Sequence, residues 1–269
     1  MYTSNIKYIS VLIPIRVDSQ ERLSNLLYVI KHLSFFPYID EILILEADTH
    51  SRLSIPLGKL FRHIFIYDND PIFHRTKYIN QLIVSSKNEI CGIWDTDVII
   101  PNIQIQKATK IFKEEECTLV YPYTKGIIFL DSSTSRHLIS QQMTQDDLFN
   151  YLYLKKQSLI QFSRPSYGGA FFVSKTKYLS IGGENQYFYG WGPEDIERAK
   201  RTLILGNRIE RVYGNAYHLY HPRGINSISG MDSRGILLEK ELLKVCSMSR
   251  TALKEYIDHW PWKTKFNLI

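Results

Sequence analysis

The chain has 269 residues, 44% hydrophobic and 22% charged, the composition of a soluble globular protein that buries a substantial core in one large domain, with or without a small appendage. Its net charge of +6 comes from Lys and Arg scattered along the chain, so no basic tract points to nucleic acid and none is expected as a partner. Three cysteines, Cys91, Cys117 and Cys246, match neither a metal cluster nor a disulfide framework, which predicts reduced thiols in a cytoplasmic protein.

In chain order, Met1 to Ser10 is mixed polar and reads as neither leader nor anchor, and no later apolar run is long enough to span a membrane. Any membrane contact is therefore expected to be peripheral. Tyr8 to Ile15, Ile42 to Leu45, His63 to Tyr67 and Ile90 to Trp94 read as buried strands, and Gln20 to Leu33 and Thr76 to Ser85 carry apolar residues at helical spacing. This alternation predicts an α/β fold with a mainly parallel central sheet flanked by helices. Ligands of such sheets collect at the carboxyl ends of the strands, where Pro14 to Ser19 and Asp95 to Pro101 fall. Further on, a helix is expected at Gln104 to Glu115, a strand around Thr118 to Tyr123 and a polar insertion over Asp131 to Arg164. Another helix follows at Glu194 to Leu205, with strand-like stretches at Arg208 to Tyr213 and Asn215 to Tyr220. Ser233 to Ile257 reads as helical, and His259 to Lys265 is an aromatic and basic string.

Five segments can carry chemistry. Asp95-Thr96-Asp97 sits where a buried strand emerges, and hard carboxylate oxygens there suit a divalent cation that neutralises a diphosphate. An isolated Asp-x-Asp is more often a strand-end turn with capping aspartates. His218 and His221 offer imidazole ligands, but on a regular strand they face opposite sides, so they share an ion only if the chain turns before Pro222. Taken with the aspartates they suggest one site of one or two carboxylates and one or two imidazoles, in which manganese is favoured over magnesium. In Gly190-Trp191-Gly192-Pro193-Glu194-Asp195 the acids could simply favour a helix N-terminus, with Pro193 in the first turn. Capping leaves the tryptophan between glycines unexplained; a loop closing over a sugar, beside a carboxylate that accepts a proton, accounts for both. Arg75 and Lys77 stand at a helix start that attracts anions, and Arg16 follows the first strand; solvated helix faces are the plain alternative.

Five ordered segments, Ile13-Pro14-Ile15-Arg16, Phe73 to Asn80, Asp95 to Pro101, Tyr167-Gly168-Gly169-Ala170 and Gly190 to Asp195, followed by His218 and His221, resemble the β-1,4-galactosyltransferase group and related bacterial family 2 glycosyltransferases. The resemblance implies the GT-A fold, Rossmann-like in its binding of a nucleotide sugar. It implies an inverting transferase that moves a hexose or N-acetylhexosamine from a UDP-sugar to a hydroxyl of a glycan or lipid-linked glycan. The cofactor implied is Mn2+, with Mg2+ as the substitute. Carried over by position, Asp97, His218 and His221 would hold the metal, His218 standing where the animal enzymes have methionine. Pro14, Arg16, Arg75, Asp95, Ser166, Gly168, Gly169 and Trp191 would contact the donor. Asp195 would be the base, with Glu194 beside it holding hydroxyl groups. Residues 1–225 would form the catalytic domain, nucleotide-binding to about residue 101 and acceptor-binding over 102–225, and 226–269 a C-terminal helical extension.

Two departures stand out: Pro193 replaces the usual third glycine, and Asp131 to Arg164 aligns with nothing in the family. Ser166 stands where the animal enzymes have a tyrosine that crowds the second carbon of the sugar, which implies room for an N-acetyl group. A bacterial cytoplasmic enzyme of surface polysaccharide or glycoconjugate synthesis, at most peripheral at the inner face of the membrane, is expected. The rivals are a retaining transferase, a sugar nucleotidyltransferase and a noncatalytic nucleotide-sugar or glycan binder on the same scaffold.

Overall fold

Continuous apolar runs become the middle of a sheet here because helices cover both of its faces. The computed structural model describes residues 8–266 except 55–57, 115, 142, 156–159, 162–165 and 228–232. Its first half contains β1 (Ile9–Ile15), α1 (Gln20–Ser34), β2 (Ile39–Asp48), β3 (Phe61–Tyr67), α2 (Arg75–Ser85), β4 (Ile90–Trp94), β5 (Val98–Ile99) and α3 (Asn102–Glu114). Next come β6 (Leu119–Tyr121), β7 (Ile127–Phe129), α4 (Ser132–Ser140), α5 (Gln145–Lys155), β8 (Ile160–Gln161), β9 (Ala170–Ser174) and α6 (Lys175–Ser180). The remainder holds α7 (Glu194–Ile204), β10 (Ile209–Arg211), β11 (Ala216–His218), α8 (Ser233–Ser247) and α9 (Arg250–Asp258).

The main sheet has the order β10-β6-β9-β4-β1-β2-β3. Strands β1, β2, β3 and β4 are parallel, and β9 runs antiparallel to both β4 and β6, so it alone opposes the common direction. A smaller sheet, β5-β11-β7-β8, stands beside it. Side chains of β1 alternate between two cores: Ile9, Val11, Ile13 and Ile15 pack with α1 and the small sheet, whereas Leu12 packs with α2 and the C-terminal helices. The β1–β4 ladder ends at Leu12 and Ile93, two residues before Pro14, which has no N–H to contribute. The two strands are thus free to part at their carboxyl ends, and the crevice between them is where the site forms.

The first half follows the expected alternation closely, with α1 starting at the predicted Gln20 under Ser19, whose hydroxyl accepts from Arg22 N at 3.2 Å. The second half departs from it. The supposed polar insertion contains α4, α5 and β8, and α5 reaches the core through Leu148 and Leu152. Buried His32 of α1 ties α5 down: its Nε2 donates to Ile100 O at 2.9 Å and its Nδ1 accepts from Gln145 at 2.8 Å, while burial pulls its pKa down to about 4. The tail is two helices, broken where Ser249 caps α9. The aromatic string after it is core rather than surface: Trp260, Trp262 and Phe266 are buried beneath the sheet. Pro193 precedes the first helical turn of α7 instead of lying in it. Among the described residues no helix is long and apolar enough to cross a membrane, and Cys91, Cys117 and Cys246 are free thiols.

Candidate active site

At the carboxyl end of β4 the chain makes a tight turn: Trp94 Nε1 donates to Val98 O at 2.9 Å, and Asp95 N donates to Gly169 O at 2.8 Å. Val98 of β5 pairs with His218 of β11, which brings that histidine beside Asp97. Strand β11 ends at His218, and Leu219 N donates to Asp97 O at 2.7 Å, so the chain bends and returns His221 to the same carboxylate. His218 Nε2 lies 3.3 Å from Asp97 Oδ1 and His221 Nε2 3.3 Å from Asp97 Oδ2. The turn that the sequence required is therefore present. One donor atom from each residue falls within 4.8 Å of the others. His221 Nδ1 donates to Pro222 O at 2.8 Å, which leaves Nε2 as a lone-pair donor, and burial holds the imidazole below its ordinary pKa. Burial pushes the Asp97 carboxyl upward, but His218, His221 and Arg22 outweigh it and hold it below the usual range. Asp97 Oδ1 is buried without a hydrogen-bond partner. One carboxylate and two imidazoles with an open acceptor atom fit a borderline divalent cation such as manganese.

Opposite this cluster, Arg75 opens α2 and donates to Asp95 Oδ1 at 2.6 Å, while its Nη1 is buried without a hydrogen-bond partner, 3.9 Å from Glu194 Oε1. Burial, and next the neighbouring Asp195, push Glu194 up to about 8, and its Oε2 also lacks a partner. Asp195, with 27% of its side chain exposed, accepts from Arg198 at 2.7 Å. Arg198 itself is fully buried and clamped by Glu184 at 2.7 and 2.9 Å, and Glu184 in turn accepts from Tyr178 at 2.6 Å. Gly168 makes room for the base candidate: a Cβ there would lie 2.5 Å from Asp195 Oδ2. Gly169, at φ +83°, turns the chain into β9. In the Trp191 loop, a Cβ on Gly190 would strike Ile72 and one on Gly192 would strike Leu238 of α8. Trp191 itself is 48% exposed.

All thirteen site residues expected from the sequence line one cavity of about 870 Å³. Arg16 reaches it as a brace, its Nε, Nη1 and Nη2 donating to Ala47 O, Asp70 O and Asp68 at 2.9, 2.5 and 2.7 Å. Lys77 does not line it; its ammonium lies 5.4 Å from the Tyr78 ring centroid. The other polar residues of the Phe73 to Asn80 motif are tethers: His74, Thr76 and Asn80 bond the backbone of Gln186, Phe188 and Glu184. Sequence reasoning missed Arg22, 3.5 Å from Asp97, and the Arg198–Glu184 clamp. The spacing of Arg22 from Asp18 and of Arg198 from Asp195, one helical turn each, was the signal available.

Residues 155–222 match the family model described as the N-terminal domain of galactosyltransferase. A comparison with curated proteins finds no match. Among solved structures, the chain is similar to glucosyl-3-phosphoglycerate synthase from Mycobacterium tuberculosis in complex with Mn2+, UDP-glucose and phosphoglyceric acid, at 15% identity and a TM-score of 0.53, over 90% of this chain and 80% of that one. The same synthase with Mg2+ and UDP gives 14% identity and a TM-score of 0.51, over 90% and 80%. With this topology, and with residues 155–222 similar to galactosyltransferase, the protein has the GT-A fold of the glycosyltransferases.

Proposed function

We propose that the protein is a metal-dependent, inverting glycosyltransferase that moves a hexose or N-acetylhexosamine from a UDP-sugar to a glycan hydroxyl. The observation that carries this reading is the meeting, in one cavity, of the Asp97–His218–His221 cluster with its open acceptor atom and the Glu194–Asp195 pair set over Gly168. Simple binding needs no such base. Solved structures of similar fold hold UDP-glucose with Mn2+ or UDP with Mg2+, which supports manganese as the cofactor and magnesium as its substitute.

Held by Asp97, His218 and His221, the cation would supply positive charge opposite the departing diphosphate. Asp195 is open to the cavity and takes the proton of the acceptor hydroxyl as that oxygen attacks the anomeric carbon and the bond to UDP breaks. An α-linked donor then yields a β-linked product. Arg198 fixes the Asp195 carboxylate, and Arg75 and Asp95 bind the donor between the two acidic groups. Glu194, buried and raised toward neutrality, is suited to hydrogen-bond a sugar hydroxyl rather than to remove its proton. Pro14 and Arg16 border the nucleotide, and Trp191 covers the sugar. Ser166 leaves space for an N-acetyl group. Residues 1–225 act as the catalytic domain and 226–269 as an extension whose helix α8 packs behind the loop of Trp191.

The acceptor is a growing glycan, free or lipid-linked, and the cellular place is the cytoplasm, with peripheral contact at the inner face of the membrane during synthesis of bacterial surface polysaccharide or glycoconjugate. UDP release from a panel of UDP-sugars, with and without manganese, tests the reading. Manganese-stimulated release from a UDP-hexose or UDP-N-acetylhexosamine is expected, and pyrophosphate release from UTP and a sugar 1-phosphate, or no turnover of any donor, would overturn it. NMR of the product anomer separates inversion from retention.

A further inference from the structure

Behind the metal-ligand cluster, α1 and α4 enclose a second cavity of about 410 Å³, within the roughly 300–1,000 Å³ range of small-molecule pockets. Tyr220 lines both cavities and is 42% exposed, so this residue stands between them. Two contacts fix its backbone: Tyr220 N donates to Ser135 Oγ at 2.8 Å, and Asn25 Nδ2 donates to Tyr220 O at 3.0 Å. Asn25, which lines the groove, is only 1% exposed, and its Oδ1 is buried without a hydrogen-bond partner. An acceptor atom in that position is costly until something donates to it.

We propose that this groove is an acceptor subsite holding a further sugar unit of an oligosaccharide whose terminal hydroxyl reacts in the main cavity. The proposal rests on the glycosyl-transfer reading above. The walls offer Gln20, Glu21 and Ser24 from α1 and Ser132, Arg136 and Ser140 from α4. Such mixed, mostly uncharged donors and acceptors match the hydroxyls of a saccharide. A phosphate would call for clustered cations without a carboxylate, and an apolar ligand for more than Ile139. An exposed tyrosine at the threshold supplies the flat face on which a sugar ring stacks. Helices α1 and α4 lie outside residues 155–222, so every lining residue of this groove except Tyr220 belongs to a part of the chain that the galactosyltransferase match does not cover.

A printed array of defined oligosaccharides, probed with the fluorescently labelled full chain in manganese and UDP, is the test. Ser24→Trp fills the groove and Arg136→Ala removes a polar contact; neither touches the main cavity. We expect the unmodified protein to retain a subset of oligosaccharides, and each variant to lower that signal about tenfold or more, a loss of about 1.4 kcal/mol, with unchanged circular dichroism and affinity for UDP and manganese. No oligosaccharide retained by the unmodified protein, or equal retention by both variants, would overturn the subsite. Manganese-dependent binding of UDP-sugars reports separately on the underlying reading: its presence beside unaltered glycan retention sinks the subsite alone, and its absence with every donor sinks glycosyl transfer.

Discussion

A carboxylate with an imidazole 3.3 Å from each oxygen, one of those oxygens lacking a hydrogen-bond partner, is an arrangement that a cation completes. Asp97→Asn and His221→Ala should each abolish manganese-dependent UDP binding in calorimetric titration while the circular dichroism is unchanged, and His218→Ala should weaken it less; unchanged affinity in the first two would remove the site. At the other side of the cavity, Asp195→Asn should keep UDP binding and lose about 10²–10⁴-fold in kcat, the range for a lost general base. Arg198→Lys cannot reproduce the two-pronged grip on Glu184 together with the bond to Asp195, so it should lower kcat roughly tenfold or more with little change in UDP affinity. If Glu194→Gln is dead and Asp195→Asn turns over normally, the roles are reversed. Glu194 also makes a statement about stability. Its pKa rises on folding from 4.5 to about 8, so between those values the folded state holds a proton that the unfolded state has released. Stability contributed by this group is complete below about pH 4.5 and is lost as pH rises toward 8, with a slope of at most about 1.4 kcal/mol per pH unit. Glu194→Gln should flatten that slope in denaturant titrations run in EDTA; an unchanged slope would show that Glu194 is not the group. At this scale Asp97, His218, His221, Glu194 and Asp195 were legible because their residue types are rare together. Arg22 and Arg198 were not, because an arginine on a helix reads as a solvated face until packing buries it.

Strand β9 shows what elements add and what a sequence conceals about them. Ala170-Phe171-Phe172-Val173-Ser174 is five residues long, too short for periodicity to separate strand from helix, and its place between β4 and β6 depends on partners far along the chain. The glycines leading into it were legible as a motif, but the reason for Gly168 is tertiary, since α7 brings the Asp195 carboxylate to where a side chain would be. Gly168→Ala should therefore impair turnover far more than melting temperature: no positive φ is involved, and the clash falls on the base itself. Activity near that of the unmodified protein would mean that Asp195 has freedom to move aside. Helices α4 and α5 escaped notice for a different reason. Their apolar positions are few, and α5 is held largely by Leu148, Leu152 and the Gln145–His32 bond, a contact no local pattern announces. By contrast β1, α1, α2 and β4 carry unbroken apolar runs or a full amphipathic stripe, and their bounds were readable to within a residue or so.

For the molecule as a whole, the cavity joins parts that are distant in sequence, and the C-terminal helices belong to its support. Leu238 of α8 is buried against Gly192, next to the exposed Trp191. Leu238→Ala should cost about 2–5 kcal/mol in stability and raise the KM for the acceptor, with UDP and manganese affinity retained; a change in stability alone would uncouple α8 from the loop. The antiparallel placement of β9 reaches further, into how the chain is made. During synthesis β1 to β4 emerge first, and the free side of β4, five residues that are all buried in the finished protein, waits for a partner that arrives about 80 residues later. Until then it is an open edge of the kind that recruits other chains, so the emerging protein depends on rapid completion or on a chaperone. The strand that ends this exposure is preceded by Gly168 and Gly169, and the acids of α7 follow it. Closing the sheet sets the glycine pair in place, while the acids of α7 and then His218 and His221 arrive only further along the chain, so a partly made chain can be sticky but never active.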